Sequence, residues 1–306
     1  MHLSKAIEGF AIAFLADGKS QETLKTHRQS LAKLTAYVSD KDVERITAED
    51  LRGFMKWLAT DYKPQRSNHD TSPLRSASLA RYWAVLRSFW RWASVEFELK
   101  SNPALALKMP KVDTRAVIPF TEDDVRKLLR AAERDRSNTA RDQAIIVTLL
   151  DTGLRASELA RLKRRDVDLQ SGYVEVKSVG SGTKSKSRLV VLGKSARRYL
   201  WRYLATRDDD HDAPLFITQS GRAMRRGSIR LALTRLGKRA GVEGVYPHRF
   251  RHSFVITYLR NGGDVFTAQA ILGHADLQMV RHYAAIASVD IEGAHRKASP
   301  ADKWRL

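Results

Sequence analysis

A proline-containing stretch near position 110 divides this chain into two regions that must fold separately. Asn102-Pro103 ends a helical region, because a residue that precedes proline is pushed out of the helical conformation. The following run, 108–119, combines proline, lysine and β-branched residues as an extended linker does. Thr121 and Asp124 then form a capping-box pair that opens a new helix. Because 306 residues also exceed one typical domain, we predict domains at 1–107 and 118–306, joined by a linker at 108–117.

The first region has the apolar spacing of a helical domain. Apolar residues recur at helical intervals over 4–16, 21–38, 47–58 and 76–95, and the prolines and polar residues of 61–75 indicate a loop. The stripe over 76–95 is rich in aromatic side chains, which could pack in a core or stack on bases. We predict core packing for its members, Leu79, Trp83, Leu86, Trp90 and Ala93.

The second region is predicted to be mostly helical with one small sheet. β-branched residues concentrate at 173–178 and 187–192 around a turn rich in Gly, Ser and Lys, which indicates a β-hairpin. Helices are expected from Thr121, across 144–150, and near 195–206, 228–240, 247–260, 266–272 and 276–286. The predicted fold class is therefore mainly α, with a helical first domain and a mixed, mostly helical second domain that carries a β-hairpin.

The charge of the chain indicates a polyanionic partner. Its 54 Lys and Arg against 34 Asp and Glu leave a net charge of +20, of which +16 falls in 108–306. An excess of this size favours nucleic acid. The chain has no apolar run of about 18 residues and no N-terminal signal core, so we expect a soluble, cytoplasmic protein without a membrane partner. Its lack of cysteine excludes disulfides, thiolate zinc sites and cysteine nucleophiles.

Candidate site residues begin in the run 152–159, Thr-Gly-Leu-Arg-Ala-Ser-Glu-Leu. Gly153 can end the preceding helix, and Ser157 and Glu158 lie at the start of the next one. Arg155 therefore falls at a junction of elements, with Glu158 close enough to orient its guanidinium. Taken alone, an arginine at this position is more often a surface residue in an ion pair.

The remaining candidates lie in the last quarter of the chain. His248 and Arg251 are three residues apart on a helix that should begin near Pro247, so their side chains project from one face, while His252 should point away from it. His274 follows a glycine at a predicted turn, and Tyr283 lies nine residues beyond it in an amphipathic segment. Each of these residues alone is typical of ordinary packing. Together with Arg155 they supply what a metal-free enzyme needs to attack a DNA phosphodiester with a phenol.

These motifs, in this order, resemble the tyrosine recombinase (phage integrase) family, with the length of its Xer-type and simple integrase members. The resemblance rests on the Thr-Gly-Leu-Arg-x-Ser-Glu-Leu, His-x-x-Arg-His and Leu-Gly-His boxes, the late tyrosine, and the Asn-Pro-Ala that ends the first helical region. It implies a core-DNA-binding domain at 1–107 and a catalytic domain at 118–306, which close around duplex DNA. It also implies that the C-terminal tail packs on a neighbouring protomer in a cyclic tetramer.

The resemblance implies a role for each motif residue. Tyr283 is the expected nucleophile, His248 assists its proton transfer, and Arg155, Arg251 and His274 contact the phosphate, with Glu158 in support. A lysine in the hairpin turn should protonate the leaving oxygen. Lys177, Lys184 and Lys186 compete for that role, and we choose Lys184, although the turn does not match the family pattern without a gap.

The predicted function is site-specific DNA recombination, by integration, excision or resolution, through a 3′-phosphotyrosyl intermediate. No metal, ATP or other cofactor is expected. The predicted partners are double-stranded DNA and three further copies of the chain, and accessory proteins are further candidates. Three alternatives stay open: an enzyme like a type IB topoisomerase, which relaxes one duplex, a catalytically silent DNA-binding protein, and a nuclease that releases DNA ends with no protein attached.

Overall fold

The computed structural model describes residues 1–65, 70–112, 117–135, 137–178, 187–273 and 299. The chain divides into two compact units, Met1–Arg115 and Ala116–Leu306. Eleven α-helices and one two-stranded sheet lie within the described ranges, which confirms the predicted mainly α fold class. The helix predicted at 276–286 lies outside the described residues. None of the described helices has the length and apolar character needed to cross a bilayer.

The first unit is a helical bundle around an aromatic core. Its helices are α1 (Leu3–Ala16), α2 (Gln21–Tyr37), α3 (Ala48–Thr60) and α4 (Ser76–Glu96), with short 3₁₀ turns at Val43–Arg45 and Pro103–Ala106. Ser20 caps α2, and Thr47 and Asp50 form a complete capping box before α3. Leu86, Trp90 and Ala93 of α4 are at most 1% exposed, and the other two members of the predicted stripe are partly buried against the same core, so its core packing is confirmed.

The second unit begins with the capping box that the sequence predicted: the Thr121 hydroxyl oxygen accepts a hydrogen bond from the Asp124 backbone N–H, and the Asp124 carboxylate accepts one from the Thr121 backbone N–H. Its elements follow in the order α5 (Glu122–Glu133), α6 (Thr139–Thr152), α7 (Ala156–Leu159), β1 (Tyr173–Val176), β2 (Arg188–Val191), α8 (Lys194–Leu204), α9 (Arg226–Ala240), α10 (Pro247–Arg260) and α11 (Val265–Leu272). The strands β1 and β2 pair antiparallel, with Val174 opposite Val190 and Val176 opposite Arg188.

Helix α6 lies at the centre of the second unit. Ile145, Ile146 and Leu149 are fully or almost fully buried, and the helix packs against α8 and α10. It ends at Gly153, whose φ of +61° lies in the left-handed region. A side chain at this position would also approach a ring carbon of Phe254 to 2.6 Å. This sharp end of α6 places Arg155 at the start of α7.

Candidate active site

The carboxylate of Glu158 holds Arg155 in place. Arg155 occupies the N-terminal cap of α7, where its backbone N–H donates to Glu158 Oε2 at 2.8 Å and its Nη1 donates to Glu158 Oε1 at 3.0 Å. The side chain of Glu158 is only 2% exposed, whereas that of Arg155 is 35% exposed. Glu158 therefore orients a guanidinium whose outer part faces solvent, as the sequence predicted.

A second arginine binds the same carboxylate from strand β2. Arg188 donates from Nη1 to Glu158 Oε1 at 3.1 Å and from Nη2 to Glu158 Oε2 at 3.0 Å. Burial raises the pKa of Glu158, but the hydrogen bonds from Arg188 and Arg155 and their positive charges outweigh this effect and lower the pKa to about 2. Glu158 is therefore ionised at neutral pH. This contact was not predicted from the sequence.

Arg251 connects the ends of two helices. It lies one turn inside α10, which begins with Pro247, and it is 1% exposed. Its Nη1 donates to Gly153 O at 2.7 Å, and its Nη2 donates to Leu272 O at 2.8 Å. The C-terminal ends of α6 and α11 are thereby fixed around one buried guanidinium.

His248 lies on the same α10 face at the solvent edge. Desolvation of its ring by neighbouring atoms lowers the pKa of His248, and the positive charges of Arg251 and Arg155 lower it further. The imidazole is therefore mainly neutral at pH 7. The expectation that His252 points away was wrong: its ring packs edge-to-face on His248, with the ring centroids 4.5 Å apart, because residues four apart on a helix share a face.

The predicted site residues of α7 and α10 line one cleft. Arg155, His248 and Arg251 line a cleft of about 430 Å³ together with Leu154, Ala156, Ser157, Arg226, Arg230, Tyr246 and Pro247. Four of these lining residues are arginines, and their positive charge makes the cleft suited to an anion. Arg226 and Arg230, which are four residues apart on α9, were not predicted from the sequence. Their helical spacing was the available signal, but the predicted helix began at 228 and left Arg226 outside it.

Three predicted site residues, Lys184, His274 and Tyr283, lie outside the described residues, as does the alternative Lys186. Lys177 is described, and its ammonium donates to Asp166 at 2.6 Å and lies 3.5 Å from Glu175. The hydrogen bond to Asp166 raises the pKa of Lys177, which makes it a weaker proton donor. Within the described ranges, no three His, Asp or Glu side chains cluster as metal ligands would.

Two family models match the chain, and together they span most of it. The model described as the phage integrase family matches residues 119–288, and the model described as the phage integrase N-terminal SAM-like domain matches residues 7–96. The chain belongs to the phage integrase family. The first match includes every candidate residue from Arg155 to Tyr283, and the boundary between the two matches contains the predicted linker.

Curated relatives at the sequence level are Xer recombinases. Tyrosine recombinase XerC of Staphylococcus aureus (strain USA300) is 30% identical over 291 residues, which cover 93% of this chain and 92% of that protein. Tyrosine recombinase XerD of Listeria innocua serovar 6a is 29% identical over 294 residues, which cover 92% and 94%. With the family match, these relatives make this chain a tyrosine-type site-specific recombinase.

Solved structures share the fold. The Tn1549 transposon integrase, solved in complex with transposon right end DNA, aligns with a TM-score of 0.76 at 20% sequence identity over 100% of this chain and 99% of that chain. At this identity the likeness concerns the fold alone.

Proposed function

We propose that this recombinase cuts and rejoins DNA by attack of Tyr283 on a phosphodiester bound in the cleft of Arg155, His248 and Arg251. The observation that carries the proposal is the convergence of these three residues, which come from α7 and α10, on one cleft with Arg226 and Arg230. A phosphodiester has one negative charge, and its pentacovalent transition state concentrates more on the non-bridging oxygens. Preorganised guanidinium donors therefore stabilise the transition state more than the bound substrate.

His248 supplies the proton acceptor in this proposal. A tyrosine has a pKa of about 10, so Tyr283 must lose its proton as it attacks. Because its pKa is lowered, His248 is mainly neutral at pH 7 and can accept that proton. An imidazole already protonated could not take this role. His274 is the further expected donor to the phosphate.

The reaction step balances without a metal or nucleotide. The Tyr283 oxygen bonds to phosphorus, the bond from phosphorus to the 5′ oxygen breaks, and the strand end is held as a 3′-phosphotyrosyl ester. Lys184 gives its proton to the departing 5′ oxygen, and this oxygen leaves as a hydroxyl. Attack by the 5′ hydroxyl of another strand reverses the step and releases Tyr283, so the bond energy is conserved.

The substrate is double-stranded DNA, and the working assembly is a tetramer on two sites. Recombination of two duplexes requires four strands to be cut, and each chain supplies one Tyr283. The net charge of +16 in 108–306 favours a duplex with its phosphates, and the Tn1549 integrase of the same fold was solved with DNA. In this proposal, residues 1–107 bind the core site, residues 118–306 carry the chemistry, and the protein acts in the cytoplasm.

The proposal is tested with a duplex selected by this protein from a random-sequence pool. A set of these duplexes is prepared in which the position of a single nick differs by one nucleotide from each duplex to the next. In one of them, the nick lies close enough to the cleavage point that cleavage releases a short fragment. Loss of this fragment removes the 5′ hydroxyl that would reverse the reaction, so the adduct is trapped. We expect wild-type protein to form an adduct that survives denaturing electrophoresis, and we expect Tyr283→Phe to form none. The released fragment should accept a 5′ phosphate from a kinase without phosphatase treatment. Binding without an adduct would support a silent DNA-binding protein instead.

A further inference from the structure

Arg188 joins three elements of the second unit through one buried guanidinium. Arg188 is the first residue of β2, and its side chain is only 7% exposed. The two Nη atoms bind the two oxygens of Glu158, which lies on α7. The remaining nitrogen, Nε, donates to Ile271 O at 2.6 Å, in the last turn of α11. The turn end of the hairpin strands, the helix beside Arg155 and the end of α11 are thus tied to one another.

The end of α11 is held by two different arginines. The last carbonyl oxygens of a helix have no partner within the helix and carry its negative dipole end. In α11, Ile271 O accepts from Arg188 and Leu272 O accepts from Arg251. Gly273 follows with a φ of +61°, and a side chain on it would approach Arg188 to 3.1 Å. The chain therefore passes directly over Arg188 before it reaches position 274.

We propose that Arg188 is a positioning residue for strand cleavage. It acts through Glu158 on Arg155 and through Ile271 on the segment that leads to His274, and it does not contact DNA. This inference rests on the proposed function, since it assigns those neighbours to the reaction. Misplacing catalytic groups by about 1 Å can slow an enzyme about 10²-fold, so a residue that fixes such groups affects rate more than affinity.

The geometry requires an arginine at this position. A guanidinium presents its N–H groups in a planar fork that fits both oxygens of a carboxylate and still offers Nε to a third acceptor. A lysine ammonium could neutralise Glu158, but as a compact charge it would not reproduce this fork. Arg188→Lys therefore separates charge from geometry, and Arg188→Met removes both.

Arg197 provides a matched control. It lies on α8 and donates to Gln170 O at 2.7 Å, just before β1, so it also anchors the hairpin. Arg188→Met and Arg197→Met remove the same charge from the same unit, and both remove an anchor of the hairpin. Of these two arginines, it is Arg188 that binds Glu158 and the end of α11.

The test measures three quantities for each full-length protein: the melting temperature, the affinity for the selected duplex, and the single-turnover cleavage rate of the nicked duplex at saturating protein. We expect Arg188→Met to cleave about 10²-fold more slowly with unchanged affinity, and Arg197→Met to match wild type in both. Arg188→Lys should remain folded and cleave about tenfold more slowly, the loss expected for one charge-assisted hydrogen bond. If Arg188→Met does not fold, the cleavage rate of Arg188→Lys alone tests the positioning role.

A double variant shows whether Arg188 acts through Glu158. If it does, Arg188→Met combined with Glu158→Gln should be much less impaired than the product of the two single effects, because both disrupt one contact. Multiplicative effects, a wild-type rate for Arg188→Lys, or equal losses in Arg188→Met and Arg197→Met would overturn the inference. If these occur while wild type forms an adduct and Tyr283→Phe does not, the proposed function stands. Absence of any wild-type adduct would overturn both.

Discussion

Replacing Glu158 with glutamine should make the stability of the second unit less dependent on pH. The pKa of this buried carboxyl falls from the ordinary 4.5 to about 2, chiefly because the hydrogen bonds from Arg188 and Arg155 exceed the cost of burial. A shift of that size corresponds to about 3 kcal/mol of stability at pH 7. Since the folded-state pKa is depressed, this contribution is complete above about pH 5 and is lost as the pH falls towards 2.

Urea unfolding of wild type and Glu158→Gln at pH 7 and pH 3.5 measures this contribution. We expect Glu158→Gln to be less stable by about 3 kcal/mol at pH 7, and this difference to narrow by about 1 kcal/mol at pH 3.5. Glu122→Gln is the matched control, because the Glu122 carboxylate pairs with Arg126 on the exposed face of α5. It should leave the unfolding free energy nearly unchanged. The reasoning would be refuted if wild type and Glu158→Gln had the same unfolding free energy at pH 7, or if the gap between their unfolding free energies were wider at pH 3.5 than at pH 7.

Three further predictions concern the cleft and its substrate. The single-turnover cleavage rate should fall as the pH drops through a value below 6.5, since His248 becomes protonated there. The same decrease of the rate in acid for His248→Asn would argue against His248 as the proton acceptor. Gly153→Ala should lower the melting temperature and the cleavage rate, because its Cβ would meet Phe254 at 2.6 Å and Leu272 at 2.9 Å; an unchanged melting curve would contradict the packing argument. Affinity for the selected duplex should decrease steeply with salt, and a flat titration would count against phosphate binding.

Local signals in the sequence were sufficient for most of the helices. The capping pair of Thr121 and Asp124 and the aromatic stripe around Trp90 depend on residues a few positions apart. The same holds for Arg155 and Glu158, whose contact closes within one helical turn. In each case the interaction is set by backbone geometry over a short span, so the sequence spacing predicts it.

Contacts between distant elements were not predictable in this way. Arg188 reaches Glu158 across 30 residues, and its partner depends on how the hairpin packs against α7. Arg251 was expected on the face of α10 that carries His248, but its hydrogen bonds to Gly153 and Leu272 depend on where α6 and α11 end. Each helix end was predictable, whereas their convergence on one guanidinium is a property of the tertiary fold.

The most direct test of the central claim is the identity of the residue that becomes attached to DNA. The adduct from a nicked duplex would be digested with trypsin and nuclease, and the modified peptide sequenced by mass spectrometry. We expect a nucleotide remnant on Tyr283, bonded through a 3′ phosphate. A remnant on another side chain, or on a 5′ phosphate, would contradict it.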